Sequence, residues 1–158
     1  MEARIMLVHA ALEYLSWVSY VLPPGTRSAS HHDRNDMLTG APPAVWHLQE
    51  LLSGADIDTA IPPGLVAMTR RAEEMEPSAR PNQAIDGPEV LTWLRGQLVH
   101  PKDAGEPYRI EDLITEAWRL VTQYGGLLLL HRIDYKGKYL PRTDMGQWLK
   151  SVPVPWAI

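Results

Sequence analysis

Arg95 and His100 are the two side chains whose types and spacing suit chemistry on a phosphodiester. They bracket the stretch Arg95-Gly96-Gln97-Leu98-Val99-His100-Pro101, an arginine followed by four residues and a histidine at what the pattern makes a helix end. A guanidinium can hold a phosphate bidentately and stabilise the added charge of a phosphorane. An imidazole titrates near neutrality and can move the proton of a ribose 2′-hydroxyl. On a regular helix five residues advance by about 140°, so the pair does not share a face by default. Pro101 cannot continue the helix, and the turn it loosens gives His100 freedom to swing toward Arg95.

The spacing alone is weak. With eleven arginines and six histidines in 158 residues, an arginine followed by a histidine after four to six positions arises about once by chance. Arg4 to His9 and Arg27 to His32 repeat it, the first inside an unbroken helix pattern and the second in a polar stretch. Only Arg95 and His100 have the helix-end setting. His31-His32-Asp33 reads as solvated loop rather than a metal site, since no helical i, i+4 partner accompanies it. His9, His47 and His131 lie on or beside helical faces and read as satisfied partners of carbonyls. Trp17, Trp46, Trp93 and Trp118 sit among helical apolar residues and read as core. Tyr135, Tyr139 and Trp148, interleaved with Lys136, Lys138 and Arg142, carry two readings, base stacking with phosphate contact or packing of the tail. No glycine-rich phosphate loop, nucleophile elbow or His-Glu-x-x-His motif is present.

Composition narrows the chemistry further. The chain has no cysteine, which removes disulfides, thiolate zinc sites and cysteine nucleophiles. Its formal charge is −4, so a nucleic-acid partner must be met by a local patch rather than a basic coat. Residues 1–100 hold seven Lys/Arg against twelve Asp/Glu, and residues 101–158 hold eight against seven. The basic excess gathers at Arg132, Lys136, Lys138, Arg142 and Lys150. The apolar stretch Ala3 to Leu22 contains Arg4, His9 and Glu13, and no run reaches the 18 apolar residues of a membrane span. A cytoplasmic protein with no membrane partner is expected.

The elements that must position the pair are helices. Ile5, Val8, Leu12, Leu15, Ser19 and Leu22 alternate three- and four-residue steps, predicting a first helix ended by Pro23-Pro24-Gly25. Residues 25–41 read as a long polar loop. Pro42-Pro43 opens a second helix with Val45, Leu48, Leu51 and Leu52 inward, and Pro62-Pro63 opens a third around Leu65, Met68 and Ala72. Asp86 is the expected N-cap of a fourth, with Val90, Leu91, Trp93, Leu94 and Leu98 buried before Pro101. A fifth starts near Glu111 along the seam Ile110, Leu113, Ala117, Leu120, Tyr124, Leu127 and His131, interrupted by Gly125-Gly126, which should admit a neighbouring helix. Residues 134–139 form a turn able to hold two very short strands. The expectation is a single all-α domain over 1–158, an antiparallel bundle of four to five helices with a basic and aromatic C-terminal segment at 134–158.

The stretch Leu94 to Pro101, followed by the long helix with Ala117-Trp118 and Leu127 to Leu130, resembles the HEPN superfamily of α-helical ribonuclease domains. Gly137-Lys138-Tyr139 to Arg142, the terminal Val154-Pro155-Trp156 and the opening Ala3-Arg4-Ile5 through Ala11-Leu12-Glu13 to Trp17 are similar to the C-terminal HEPN domains of the ApeA-like anti-phage type. The resemblance touches both ends and the motif and leaves 25–80 uncovered. It implies a homodimer with two Arg-His pairs in one cleft. It implies cofactor-free, metal-independent RNA cleavage, with Arg95 and His100 catalytic and a 2′,3′-cyclic phosphate product, in phage defence or a toxin-like role. Lys102, Arg132, Lys136, Lys138 and Arg142 are then the expected RNA contacts. Where that superfamily commonly has a polar residue after the arginine, this chain has Gly96. Where toxins paired with a nucleotidyltransferase antitoxin carry a tyrosine two places after the histidine, it has Lys102. The alternatives are a non-catalytic helical dimerisation or RNA-binding module, and a catalytic piece that works with a sensor domain or regulatory partner.

Overall fold

A computed structural model describes residues 1–20, 44–75, 84–100, 103, 105–144 and 150–157. The loop expected at 25–41, with His31, His32 and Asp33, lies outside the described residues, as do Lys102 and Trp148. Five helices are described: α1 (Glu2–Tyr20), α2 (Ala44–Ser53), α3 (Val66–Glu74), α4 (Gly87–Val99) and α5 (Leu113–Arg132), with a 3-10 turn at Glu106–Tyr108. A two-stranded antiparallel ribbon joins β1 (Lys138–Tyr139) to β2 (Val152–Pro153). The fold is all-α, a helical bundle.

Each helix exists because an apolar stripe closes on a shared core. Ile5 and Leu12 of α1, Leu48 and Leu52 of α2, Met68 of α3, Val90, Leu91 and Leu94 of α4, and Leu113, Leu120 and Tyr124 of α5 are all buried in one cluster. Fully burying one such side chain contributes about 1.5–3 kcal/mol, and this sum holds the helices together. α1 packs on α2, α4 and α5.

Local signals set the start of α4. The Asp86 side chain accepts from the Glu89 backbone N–H at 3.0 Å, and the Glu89 side chain accepts from the Asp86 N–H at 2.9 Å, a complete capping box. Gln49 of α2 donates to the second Asp86 oxygen at 2.8 Å. Burial pushes the Asp86 carboxyl up despite these donors. At the other end His100 has left helical geometry (φ −131, ψ 68), and its N–H donates to Gly96 O at 2.9 Å. A carboxylate from elsewhere caps α3: buried Glu116 of α5 accepts from the Met68 N–H at 2.9 Å, within the first turn where negative charge is favoured.

Two expectations about α5 and its tail need correction. The helix runs unbroken through Gly125 and Gly126. A Cβ at Gly125 would lie 3.4 Å from Val8 Cγ1, so this glycine does lie against α1, whereas nothing lies within 4 Å of one at Gly126. The strand within 134–139 pairs with Val152–Pro153 rather than with a second local strand. Helix α5 ends where Asp134 adopts φ 54 while Asp134 N–H donates to His131 O and Tyr135 N–H to Leu130 O, both at 3.0 Å. This is the Schellman pattern, with aspartate in the left-handed place glycine usually takes. Trp156, buried, donates its indole N–H to Tyr135 O at 2.8 Å and packs edge-on against His131 at 4.9 Å, pinning the tail to the end of α5.

Gly87 is the tightest point of the scaffold under α4. A Cβ there would meet Tyr124 Oη at 2.6 Å, Leu120 Cδ2 at 2.8 Å and Thr59 O at 3.2 Å, while the Gly87 N–H donates to that same Thr59 oxygen. Gly87→Ala is therefore expected to cost about 1–3 kcal/mol through overpacking, measured as a lower urea midpoint with an unchanged m-value.

Candidate active site

Arg95 lies on the C-terminal half of α4 and His100 is the residue that follows the helix, and both reach solvent. Arg95 is half-buried, its side chain 36% exposed, and His100 is exposed at the C-cap. His100 does not point into the core, and the departure from helical geometry at this residue is the loosening expected before Pro101.

Arg95 is tied to α1. Its Nη2 lies 3.4 Å from Glu13 Oε2, and Glu13 Oε1 lies 3.4 Å from Nδ1 of His9. His9 is 1% exposed. Its Nδ1 makes no aligned hydrogen bond among the described residues, and its Nε2 stands 3.4 Å from the Thr92 hydroxyl of α4. His9 and Glu13 are an i, i+4 pair on α1, and Thr92 and Arg95 an i, i+3 pair on α4, so each pair sits on one helix face. The contacts advance in the same direction along both helices.

Glu13 is held below the ordinary carboxylate range, first by the His9 ring and further by the charge of Arg95, against partial burial that pushes the other way. This corrects the expectation for His9, whose described neighbours are a carboxylate and a hydroxyl rather than a carbonyl. The i, i+4 spacing of His9 and Glu13 is a sequence signal for that pair. Nothing local pointed to Arg95, 82 positions from Glu13.

The expected RNA contacts divide into separate places. Arg132, exposed in the last turn of α5, lines a cleft of about 170 Å³ with Leu15 and Ser19 of α1 and Leu128. Glu13 and Leu15, two residues apart, point about 200° apart on the helix, which sets Arg132 and Arg95 on opposite flanks of α1. Lys136, exposed, pairs with Asp134 at 2.9 Å. Lys138 and Arg142, both exposed, rim a groove of about 660 Å³ with Leu127, Leu130, Ile133 and Leu140. Tyr135 gives its hydroxyl to Lys138 O at 3.0 Å, so it builds the turn, and Tyr139 is half-buried. Among the described residues no group of three His, Asp or Glu could hold a metal ion, and no helix is long and apolar enough to cross a membrane.

These features define a helical-bundle domain with an arginine and a histidine presented at one helix end. The model of the YopA C-terminal domain family matches residues 1–153, and the chain belongs to that family. Neither a curated protein nor a solved structure matches it.

The lowered Glu13 carboxyl makes a pH prediction. Because the folded value lies below the unfolded one, the carboxylate's contribution is present above the ordinary glutamate value of about 4.3 and is lost as pH falls through the folded value. Wild type is expected to exceed Glu13→Gln in urea midpoint at pH 6, with the gap closing below about pH 4. A gap unchanged down to pH 3 contradicts this assignment.

Proposed function

We propose that this domain is a metal-independent RNA endonuclease of the HEPN type, acting in the cytoplasm in phage defence or a toxin-like role. The observation that carries the reading is the setting of the pair: a half-buried arginine paired through one terminal nitrogen and reaching solvent, five residues before an exposed histidine at the helix end. Neutral His100 takes the proton of the 2′-hydroxyl, and the 2′-oxygen attacks the adjacent phosphorus. Arg95 stabilises the phosphorane, and the 5′-oxygen leaves with a proton to give a 2′,3′-cyclic phosphate and a 5′-hydroxyl. One histidine accepts the first proton and a second, from a partner copy, supplies the last, which is the reason for a homodimer. Lys102, two positions after His100, holds a phosphate beside the pair, and Arg132, Lys136, Lys138 and Arg142, at separate places on the surface, contact RNA phosphates farther along the strand.

The second reading, a helical module that binds RNA or dimerises without cleaving, is favoured by Gly96, which places no side chain beside Arg95, and by the carboxylate already paired with that arginine.

Incubation with RNA in excess EDTA separates the two. Wild type is expected to cleave, while Arg95→Ala and His100→Ala lose about 10²–10⁴-fold in rate. Intact RNA with wild type, or equal cleavage by all three, removes the ribonuclease reading.

Gly96 gives an independent check. A Cβ there meets nothing within 4 Å, so Gly96→Asn fits the helix with a stability change within about 0.5 kcal/mol and restores a polar neighbour for the phosphate. Faster cleavage by Gly96→Asn at an unchanged melting temperature is the expected outcome, and a slower rate counts against phosphate binding at this turn.

A further inference from the structure

We infer that Glu13 and His9 are positioning residues that aim Arg95 at the scissile phosphate, an inference that rests on the ribonuclease reading. His9, Glu13 and Arg95 run from the interior of the α1–α4 contact to its surface, with half-buried Thr92 on the other side of His9 and successive separations of 3.4 Å. Thr92 and Arg95 belong to α4, and His9 and Glu13 to α1, so the set closes across two helices. Arg95 is thereby fixed relative to α1 as well as to its own backbone.

Packing alone does not ask for these residues. Ionic groups taken out of water lose hydration that their pairing only partly returns, and apolar side chains of similar volume join two helices at least as well. What the polar set adds is direction. Among the described contacts one Glu13 oxygen faces His9 and the other Arg95, and His9 is itself 1% exposed and flanked by Thr92. Contact through Nη2 leaves other guanidinium N–H groups for a phosphate. At 3.4 Å the contact orients the group without matching the short, bidentate geometry that would compete strongly with a substrate.

The test uses the full chain, with Glu13→Gln, His9→Phe and the double variant. His9→Gln keeps a polar group in the core should His9→Phe not fold. Two readouts go beyond stability: single-turnover rate against substrate affinity, and the NMR resonance of the Arg95 Nε–H group with and without inorganic phosphate.

Glu13→Gln is expected to lower the rate about ten- to a hundredfold, as a misaimed catalytic group does, with affinity changed less than about threefold. His9→Phe lowers it less, and the double variant falls no further than Glu13→Gln, because His9 acts through Glu13. The Arg95 resonance moves in both single variants, including the one at His9, which touches Glu13 rather than Arg95 among the described contacts. An Arg95 resonance identical to wild type in both single variants, alongside lowered melting temperatures, assigns the set to structure alone and overturns the inference. Should wild type leave RNA intact, the ribonuclease reading falls by itself. The Arg95 resonance and its response to phosphate then decide the positioning role independently.

Discussion

The carboxylate of Glu13 is where the interior of this bundle meets its surface. One oxygen faces a histidine sealed in the core and the other faces an arginine open to solvent. That arrangement constrains the helices around it. α1 must lie on α4 in one register, since sliding by one residue would turn both His9 and Glu13 about 100° away from Thr92 and Arg95. The apolar side chains beside them, Ile5 and Leu12 on α1 and Leu91 and Leu94 on α4, supply the cohesion but accept more than one packing. The polar contacts choose among those packings.

The remaining helices serve that register. Gly125 lets α5 come against Val8 on the other flank of α1, and the capping box at Asp86 starts α4 at a defined residue. Because α4 begins at a fixed place, Arg95 falls opposite Glu13, and the helix opens at His100. Glu116 and the stacking of Arg71 on Trp93, 3.8 Å from its ring centroid, hold α3 against α5 and α4. Most of the cohesion is thus carried by apolar residues, while Glu13 adds a smaller contribution to stability and sets the direction of Arg95.

How much of this could be read from the sequence depends on how local each cause is. Asp86, Pro88 and Glu89 lie within four positions and announce a helix start by themselves. The three-four spacing of Leu113, Ala117, Leu120, Tyr124 and Leu127 announces α5. Arg95 and His100 are five apart, so their pairing is proposed from the sequence itself, and the resemblance adds the proposed chemistry. The contact of Glu13 with Arg95, the cap that Glu116 lends to α3 and the pairing of Lys138 with Pro153 join positions far apart in the chain. Their partners are chosen by packing, so no window of sequence displays them. Asp134 shows the same limit on a smaller scale: its φ of 54 ends α5 where a glycine would have been the visible signal.

The proposed chemistry uses little: one guanidinium, one imidazole and the carboxylate that steadies the first. A 2′-hydroxyl attack leaves a mark on its product that few other routes leave. The most direct measurement is end-group analysis by mass spectrometry of RNA cut by the purified protein in EDTA. The account predicts 2′,3′-cyclic phosphate and 5′-hydroxyl ends that vanish with His100→Ala. Ends carrying a 5′-phosphate and a 3′-hydroxyl, or RNA left whole, would contradict it.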